Sequence, residues 1–173
     1  MPMHRKSTRL ASLSYLGTKA HFITICCNNR LPHLEVPETA RRVIGILLES
    51  AAKESFVLHA YCAMPDHLHF LAHGLAPHSN LLELVRLLKS RSSFEFKKEA
   101  NQRLWESSFY DHILRKAEEI EGVACYIWAN PVRAGLCPSP EDHLFSGSQS
   151  IPWMVKSKEA RTFVPPWKEK SPV

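Results

Sequence analysis

The residues best suited to chemistry lie in one short stretch, Tyr61-Cys62-Ala63-Met64-Pro65-Asp66-His67-Leu68-His69-Phe70-Leu71. Two histidines stand one residue apart, directly after a Pro-Asp turn and inside an apolar, strand-like run. Strand side chains alternate between faces, so His67 and His69 point one way while Leu68 and Phe70 point the other. Two imidazoles roughly 6–7 Å apart along one strand can close on a single divalent ion if a third ligand arrives from elsewhere. An ion held by two imidazoles and oxygen donors is a workable Lewis acid for phosphate chemistry. Taken alone, two histidines on a strand are more often structural than ligating.

A second constellation supplies candidates for the missing partners: Tyr126-Ile127-Trp128-Ala129-Asn130-Pro131-Val132-Arg133-Ala134-Gly135-Leu136. On a helix Tyr126 and Asn130, four residues apart, share one face and stand about 6 Å apart along the axis. If that face looks at His67 and His69, the Asn130 amide oxygen can complete a metal site with the Tyr126 phenol beside it. A phenol of pKa about 10 is a poor nucleophile until deprotonated, but a metal-polarised phosphate lowers that demand. Spacing alone leaves two plain alternatives open: an aromatic half-buried under the sheet, and a helix C-terminal asparagine. Tyr110 is a rival nucleophile with no amide four residues on. His73 shares the parity of His67 and His69 but lies roughly 13 Å beyond His69, which suits a surface or DNA-facing role. His112 can approach from a neighbouring strand or satisfy a core hydrogen bond.

The elements that must position these groups follow from pattern. Residues 20–27, rich in β-formers and ending at Asn28-Asn29, read as a first strand. Pro37 opens a helix to Ser55 whose stripe is Ala40, Val43, Ile44, Leu47, Leu48 and Ala51. Phe56–Ala63 and His67–His73 form a hairpin around Met64-Pro65-Asp66. Asn80 and Glu83 have capping-box spacing and start a second helix buried on Leu81, Leu84, Val85 and Leu88. A strand over 109–114 and a helix over 117–129, stopped by Pro131, complete the order. This is an α+β, ferredoxin-like split βαβ pattern: a mainly antiparallel, four- to five-stranded sheet with helices on one face, plus a C-terminal helix. Residues 1–14 read as a basic arm (His4, Arg5, Lys6, Arg9), 15–150 as the domain, and 151–173 as a Pro-rich tail. The prolines from Pro138 onward predict a segment that wraps over the surface or stays partly disordered.

A chain of 173 residues with 45% hydrophobic and 23% charged content holds one ordinary core, and its net charge of +5 favours an anionic partner. No run approaches the ~18 apolar residues of a membrane span, and the cysteine usage makes a reducing cytoplasm the expectation. Five cysteines at scattered spacing fit neither a disulfide framework nor a Cys-x-x-Cys zinc knuckle. Cys26, Cys27, Cys62 and Cys125 read as buried small apolar residues. The outer face of the second helix carries Arg86, Lys89, Arg91, Lys97 and Lys98. These suit phosphate neutralisation or an ordinary solvated face. Trp105 and Phe109 suit either base stacking or the core.

The two constellations together resemble a known family. Met64-Pro65-Asp66-His67-Leu68-His69 is similar to the histidine–hydrophobic–histidine motif of single-tyrosine HUH transposases. Tyr110-Asp111-His112 and Tyr126-Ile127-x-x-Asn130-Pro131-Val132-x-Ala134-Gly135-Leu136 resemble their REP-associated branch. The likeness spans roughly residues 15–150. It implies a metal-dependent (Mg²⁺ or Mn²⁺) endonuclease and strand transferase acting on single-stranded, hairpin-bearing DNA through a 5′-phosphotyrosyl link. It casts Tyr126 as nucleophile and His67, His69 and Asn130 as metal ligands, Asn130 standing where related enzymes have glutamine. Arg86, Lys89, Arg91, Lys97 and Arg133 become candidate DNA contacts. A bacterial-type, nucleoid-associated protein, monomeric rather than dimeric, is what the branch resemblance suggests. Two rivals follow: a relative that binds hairpin DNA without cutting it, and a zinc domain built from His67, His69 and a cysteine.

Overall fold

The computed structural model describes residues 12–115, 119–152 and 164–169. The basic positions His4 to Arg9 and the expected helix start at Ala117 lie outside those residues. Five antiparallel strands form one sheet in the order β4-β1-β3-β2-β5: β1 (Ala20–Cys26), β2 (Phe56–Met64), β3 (His67–Gly74), β4 (Tyr110–Ile113) and β5 (Ser146–Gly147). Helices α1 (Pro37–Lys53) and α2 (Leu81–Ala100) bury their apolar stripes on one face, against Ile23, Ile25, Leu68 and Phe70. Helix α3 (Glu119–Trp128) covers the other face, packing Val123, Ala124 and Ile127 against Phe22, Ala60, Cys62 and Leu71. The ferredoxin-like α+β arrangement expected from the pattern is the one found.

Local chemistry explains the joints. Asn80 caps α2, its Oδ1 accepting the Glu83 N–H at 3.3 Å, which satisfies one of the orphan donors of the first turn. The β2–β3 hairpin closes through Pro65-Asp66 alone, with Met64 paired to His67. Its carbonyls are held from outside: Cys27 N–H donates to Asp66 O at 2.8 Å and Leu34 N–H to Pro65 O at 2.9 Å. Beyond α4 (Asn130–Arg133) the chain returns to the sheet edge, where Gln149 exchanges hydrogen bonds with both backbone groups of Leu58. A final turn, α5 (Pro166–Glu169), lies against the α3 face near Phe22.

Several boundaries differ from the sequence expectation. Ser12–Tyr15 forms a 3-10 turn that buries Tyr15, so the arm ends earlier than residue 14. Pro131 does not stop the chain's helical course. Helix α3 ends at Trp128, Ala129 keeps right-handed angles, and α4 follows with Pro131 in its first turn, where a missing N–H is tolerated. Trp105 is 2% exposed and donates its indole N–H to Ser92 Oγ at 2.8 Å, while Phe109 packs against the core, so the packing alternative holds for both.

Candidate catalytic and DNA-binding site

Register decides which side chains share the face under α3. Thr24 stands opposite His69 and Cys26 opposite His67, while Phe22 and Thr24 stand opposite His112 and Tyr110 on the other side. His67 Nδ1 lies 2.6 Å from Asp66 Oδ1, and an ionised carboxylate only accepts, so Nδ1 carries the proton and Nε2 presents a lone pair. His69 Nδ1 lies 2.8 Å from Thr24 Oγ1, a hydroxyl that can donate or accept. The two Nε2 atoms face each other at 3.0 Å. Burial pushes both imidazoles below their usual pKa. For His67 the Asp66 bond partly opposes this; for His69 the shift is large, with His67, Lys168, Arg133 and Arg30 adding to it. Both rings are therefore neutral at pH 7, the form that binds metal.

That geometry suits a divalent cation. Two cis ligands at the ~2.1 Å bonds of an octahedral ion stand about 3.0 Å apart, the spacing seen between the Nε2 atoms. The outer nitrogens are tied to a carboxylate and a hydroxyl, the second-layer pattern that orients ligating histidines. Among the described residues no group of three or more His, Cys, Asp or Glu is arranged to hold a metal. Carboxamide, water or substrate oxygens would be the further donors such an ion could use here. The zinc alternative would need a cysteine thiolate beside the pair. Cys62 is fully buried, and burial pushes its thiol up to about 12.

Tyr126 is half-buried at the edge of α3, 6.3 Å from the Phe22 ring, and Phe22 lies 5.5 Å from His69. The Arg133 guanidinium covers the Tyr126 ring at 4.2 Å and donates to the Tyr126 carbonyl at 2.8 Å. Asn130 turns its amide nitrogen onto the carbonyls of Tyr126 and Ile127, at 3.2 and 3.1 Å. Pro131 has no N–H to offer Ile127 O, so the side chain replaces the missing helical bond. The Asn130 nitrogen is thus structural, and its oxygen is the end that can serve a ligand. Tyr110, the rival phenol, is 45% exposed and 6.2 Å from Phe22, with a pKa raised by burial, then by Asp111 and Tyr126.

Sequence reasoning missed several members of this site. Arg30 reaches Asp66 Oδ2 at 2.9 Å and Cys26 Sγ at 2.8 Å. Asn29 and Arg30 both adopt left-handed angles (φ 54° and 56°), and this turns the chain back onto the hairpin. An asparagine tolerates that region better than most residues, the one signal that Asn28-Asn29 did offer. Cys26, expected to be buried, is half-exposed beside this pair. From the expected Pro-rich tail come Trp167, stacked on His112 at 3.8 Å, and Lys168, 5.4 Å from the Phe22 ring and 4.9 Å from Tyr110. Arg30, Arg133 and Lys168 thus bring three cations to one histidine pair.

The other expected DNA contacts lie on α2, across the sheet from this face. Arg86 is paired with Glu83, Arg91 with Glu49, and Lys89 donates to the carbonyls of Glu106, Ser107 and Ser108. Lys97 is exposed. His73 meets His59 rather than open solvent, with His59 Nε2 3.0 Å from His73 Nδ1.

Comparison with known proteins agrees with this architecture. The family model described as "Transposase IS200 like" matches residues 14–130, a span that includes both histidines, Tyr126 and Asn130. The chain belongs to the IS200-like transposase family. Within that family it is similar to a putative REP-associated tyrosine transposase of Haemophilus influenzae, 26% identical over 98 residues. That match covers 50% of this chain and 56% of the relative, so the chain spans little more than half the length of that curated relative. Among solved structures, a REP-associated tyrosine transposase bound to a REP hairpin superposes with TM-score 0.68 at 19% identity, covering 92% of this chain and 88% of that one. A putative transposase from Deinococcus radiodurans gives a TM-score of 0.48 at 23% identity, over 66% and 92% of the two chains. The transposase fold therefore covers nearly all of this IS200-like chain.

Proposed function

We propose that this IS200-like transposase is a metal-dependent endonuclease and strand transferase for hairpin-bearing single-stranded DNA, a reading supported by its likeness to a tyrosine transposase bound to a REP hairpin. The observation that carries the reading is the neutral, inward-facing histidine pair, Nε2 to Nε2 3.0 Å, on the face that also holds Tyr126 under Arg133. His67, His69 and the Asn130 oxygen would hold Mg²⁺ or Mn²⁺, which supplies charge neutralisation at the scissile phosphate. Tyr126 Oη attacks the phosphorus in line. The new Oη–P bond forms as the P–O3′ bond breaks, and the phenolic proton ends on the freed 3′-oxygen. The 5′-phosphotyrosyl product keeps the bond energy, so a 3′-hydroxyl can reverse the step.

Arg133 is the proposed phosphate contact nearest the chemistry, with Arg30 and Lys168 beside it. Arg86, Lys89, Arg91 and Lys97 would meet DNA that extends around the other face. Exposed ion pairs such as Arg86–Glu83 are weak, so a phosphate can displace the carboxylate. Because α3 docks on the sheet of its own chain, a monomer suffices for the site.

The test is to incubate the protein with labelled hairpin DNA and Mn²⁺ or Mg²⁺ and look for a covalent adduct in a denaturing gel. Tyr126→Phe should abolish it. An adduct that survives this substitution moves the nucleophile to Tyr110. No adduct with either metal sinks the nuclease reading and leaves a hairpin-binding protein that does not cut.

A further inference from the structure

His67 and His69 take their outer hydrogen bonds from very different places. Thr24, the partner of His69, lies inside β1, where pairing on both sides fixes its position. Asp66, the partner of His67, lies in the turn of the β2–β3 hairpin, and its side chain is 26% exposed. No strand ladder holds a turn carboxylate that water can reach. It can rotate, or fold back onto its own backbone in an Asx turn. Either movement frees His67 Nδ1 and lets the ring place its proton on the other nitrogen. A neutral ring protonated at Nε2 cannot ligate through that atom.

Residues 27–34 form a clamp on that turn. Cys27 N–H on Asp66 O and Leu34 N–H on Pro65 O fix its backbone. Arg30 fixes the side chain: its Nε stands 2.9 Å from Asp66 Oδ2, which leaves Oδ1 aimed at His67 Nδ1. Its Nη1 lies 2.8 Å from Cys26 Sγ and anchors the guanidinium at a second point. The backbone beneath it is strained. Asn29 and Arg30 are left-handed in succession, a region that asparagine tolerates and arginine does not favour. Such residues persist where their surroundings over-determine them. Here Asn28 N–H donates to Leu104 O at 2.9 Å and Asn29 N–H to Glu106 Oε1 at 2.7 Å, so the bend is held from outside. Glycine is the relaxed choice at position 30; arginine gives up that ease for a side chain that reaches Asp66.

We propose that Arg30 is a positioning residue for the metal pair: through Asp66 it locks His67 in the Nδ1–H tautomer and so keeps Nε2 free for the ion. This role needs no DNA, which separates it from a phosphate contact. It rests on the metal-dependent reading and adds a residue to it. Charge alone predicts the opposite sign. Arg30 is a cation beside a cation site, so Coulomb repulsion makes its removal tighten metal binding. Positioning makes its removal weaken it.

The experiment titrates Mn²⁺ into the DNA-free full chain by calorimetry, and records long-range proton–nitrogen NMR correlations of the histidine rings in the metal-free protein. Arg30→Gly suits the left-handed backbone, so its thermal midpoint should hold. Its Mn²⁺ affinity should fall about tenfold, and His67 should change from a single Nδ1–H tautomer to a mixture. Arg30→Asn, also at home at this φ and too short to reach Asp66, should repeat both results. Arg30→Gly/Asp66→Asn should bind Mn²⁺ no more weakly than Asp66→Asn alone, because Arg30 acts through that carboxylate. Unchanged or tighter Mn²⁺ binding in Arg30→Gly overturns the proposal, as does an unaltered His67 tautomer or a double variant whose losses add. A lower thermal midpoint with unchanged affinity and tautomer marks a merely structural residue and overturns it too. Weaker hairpin binding with unchanged Mn²⁺ affinity overturns it in favour of a phosphate contact. If the wild-type protein binds no Mn²⁺, the nuclease reading fails by itself, and the metal-free tautomer still decides what Arg30 does to His67.

Discussion

Two histidine pairs, one within β3 and one between β2 and β3, can be compared, and their contrast shows what distinguishes a candidate site from a structural contact. At one end His67 and His69 stand with nitrogens 3.0 Å apart; at the other, His59 and His73 do the same. In the first pair each Nδ1 has an outside partner, Asp66 or Thr24, so both Nε2 atoms converge. In the second, His59 Nε2 meets His73 Nδ1, and among the described residues only His59 has an outer partner, the Ser150 hydroxyl at 2.6 Å. That is a donor–acceptor bond closed on itself, and it latches the 148–151 loop to the sheet. Separation is the same in both pairs. Control of the outer nitrogens, and the company of Tyr126, Arg133 and Lys168, is not.

The largest effect should come from breaking the first pair. His67→Ala or His69→Ala should cut metal-dependent adduct formation roughly a thousandfold, beyond what outer-layer changes cost. His59→Ala or His73→Ala should stay within about twofold. A comparable loss at His59 would end the distinction between the pairs.

A fifth histidine sharpens the contrast from the other side. His21 is fully buried, neither ring nitrogen is bonded among the described residues, and burial, then Lys19 and His73, lower its pKa to about 4. The unfolded chain binds that proton near pH 6.5 and the folded one only near 4. Stability is therefore complete above about pH 6.5 and falls with pH through this window, by up to about 3 kcal/mol. Denaturant unfolding between pH 4 and 7 should show that slope, and His21→Phe should flatten it.

Next come the outer partners of the first pair. Asp66→Asn or Thr24→Val should weaken Mn²⁺ binding about 10–100-fold by calorimetry, while Ser150→Ala leaves it unchanged. The smallest effect is on stability. Ser150→Ala should cost about 1 kcal/mol or less in urea, with faster proteolysis near residue 150 as the local readout. Unchanged Mn²⁺ affinity in both Asp66→Asn and Thr24→Val would show that the outer hydrogen bonds do not set the site.

Much of this arrangement could be read from short-range pattern. The parity of His67 and His69, the hairpin at Pro65-Asp66, the cap at Asn80 and the four-residue step from Tyr126 to Asn130 depend only on strand and helix periods. Those periods are properties of a few neighbouring residues. The first strand's near-continuous apolar run also announced a strand buried on both faces, and β1 is central in the sheet.

What tertiary structure alone decided has long sequence separations behind it. Thr24 meets His69 only because β1 and β3 pair in one register, and a slip of one residue would remove it. Lys168 and Trp167 reach Phe22 and His112 from a segment whose prolines suggested no role in the site. Arg30 arrives through two left-handed residues that no hydrophobic period encodes. The Asn130 nitrogen is claimed by a carbonyl that Pro131 leaves bare, a consequence visible only once helix α3 runs on into α4. The sequence by itself determined which groups could do the chemistry, through local periodicity. The fold decided what surrounds them, because charge and hydrogen bonding act between residues that only packing and register bring together.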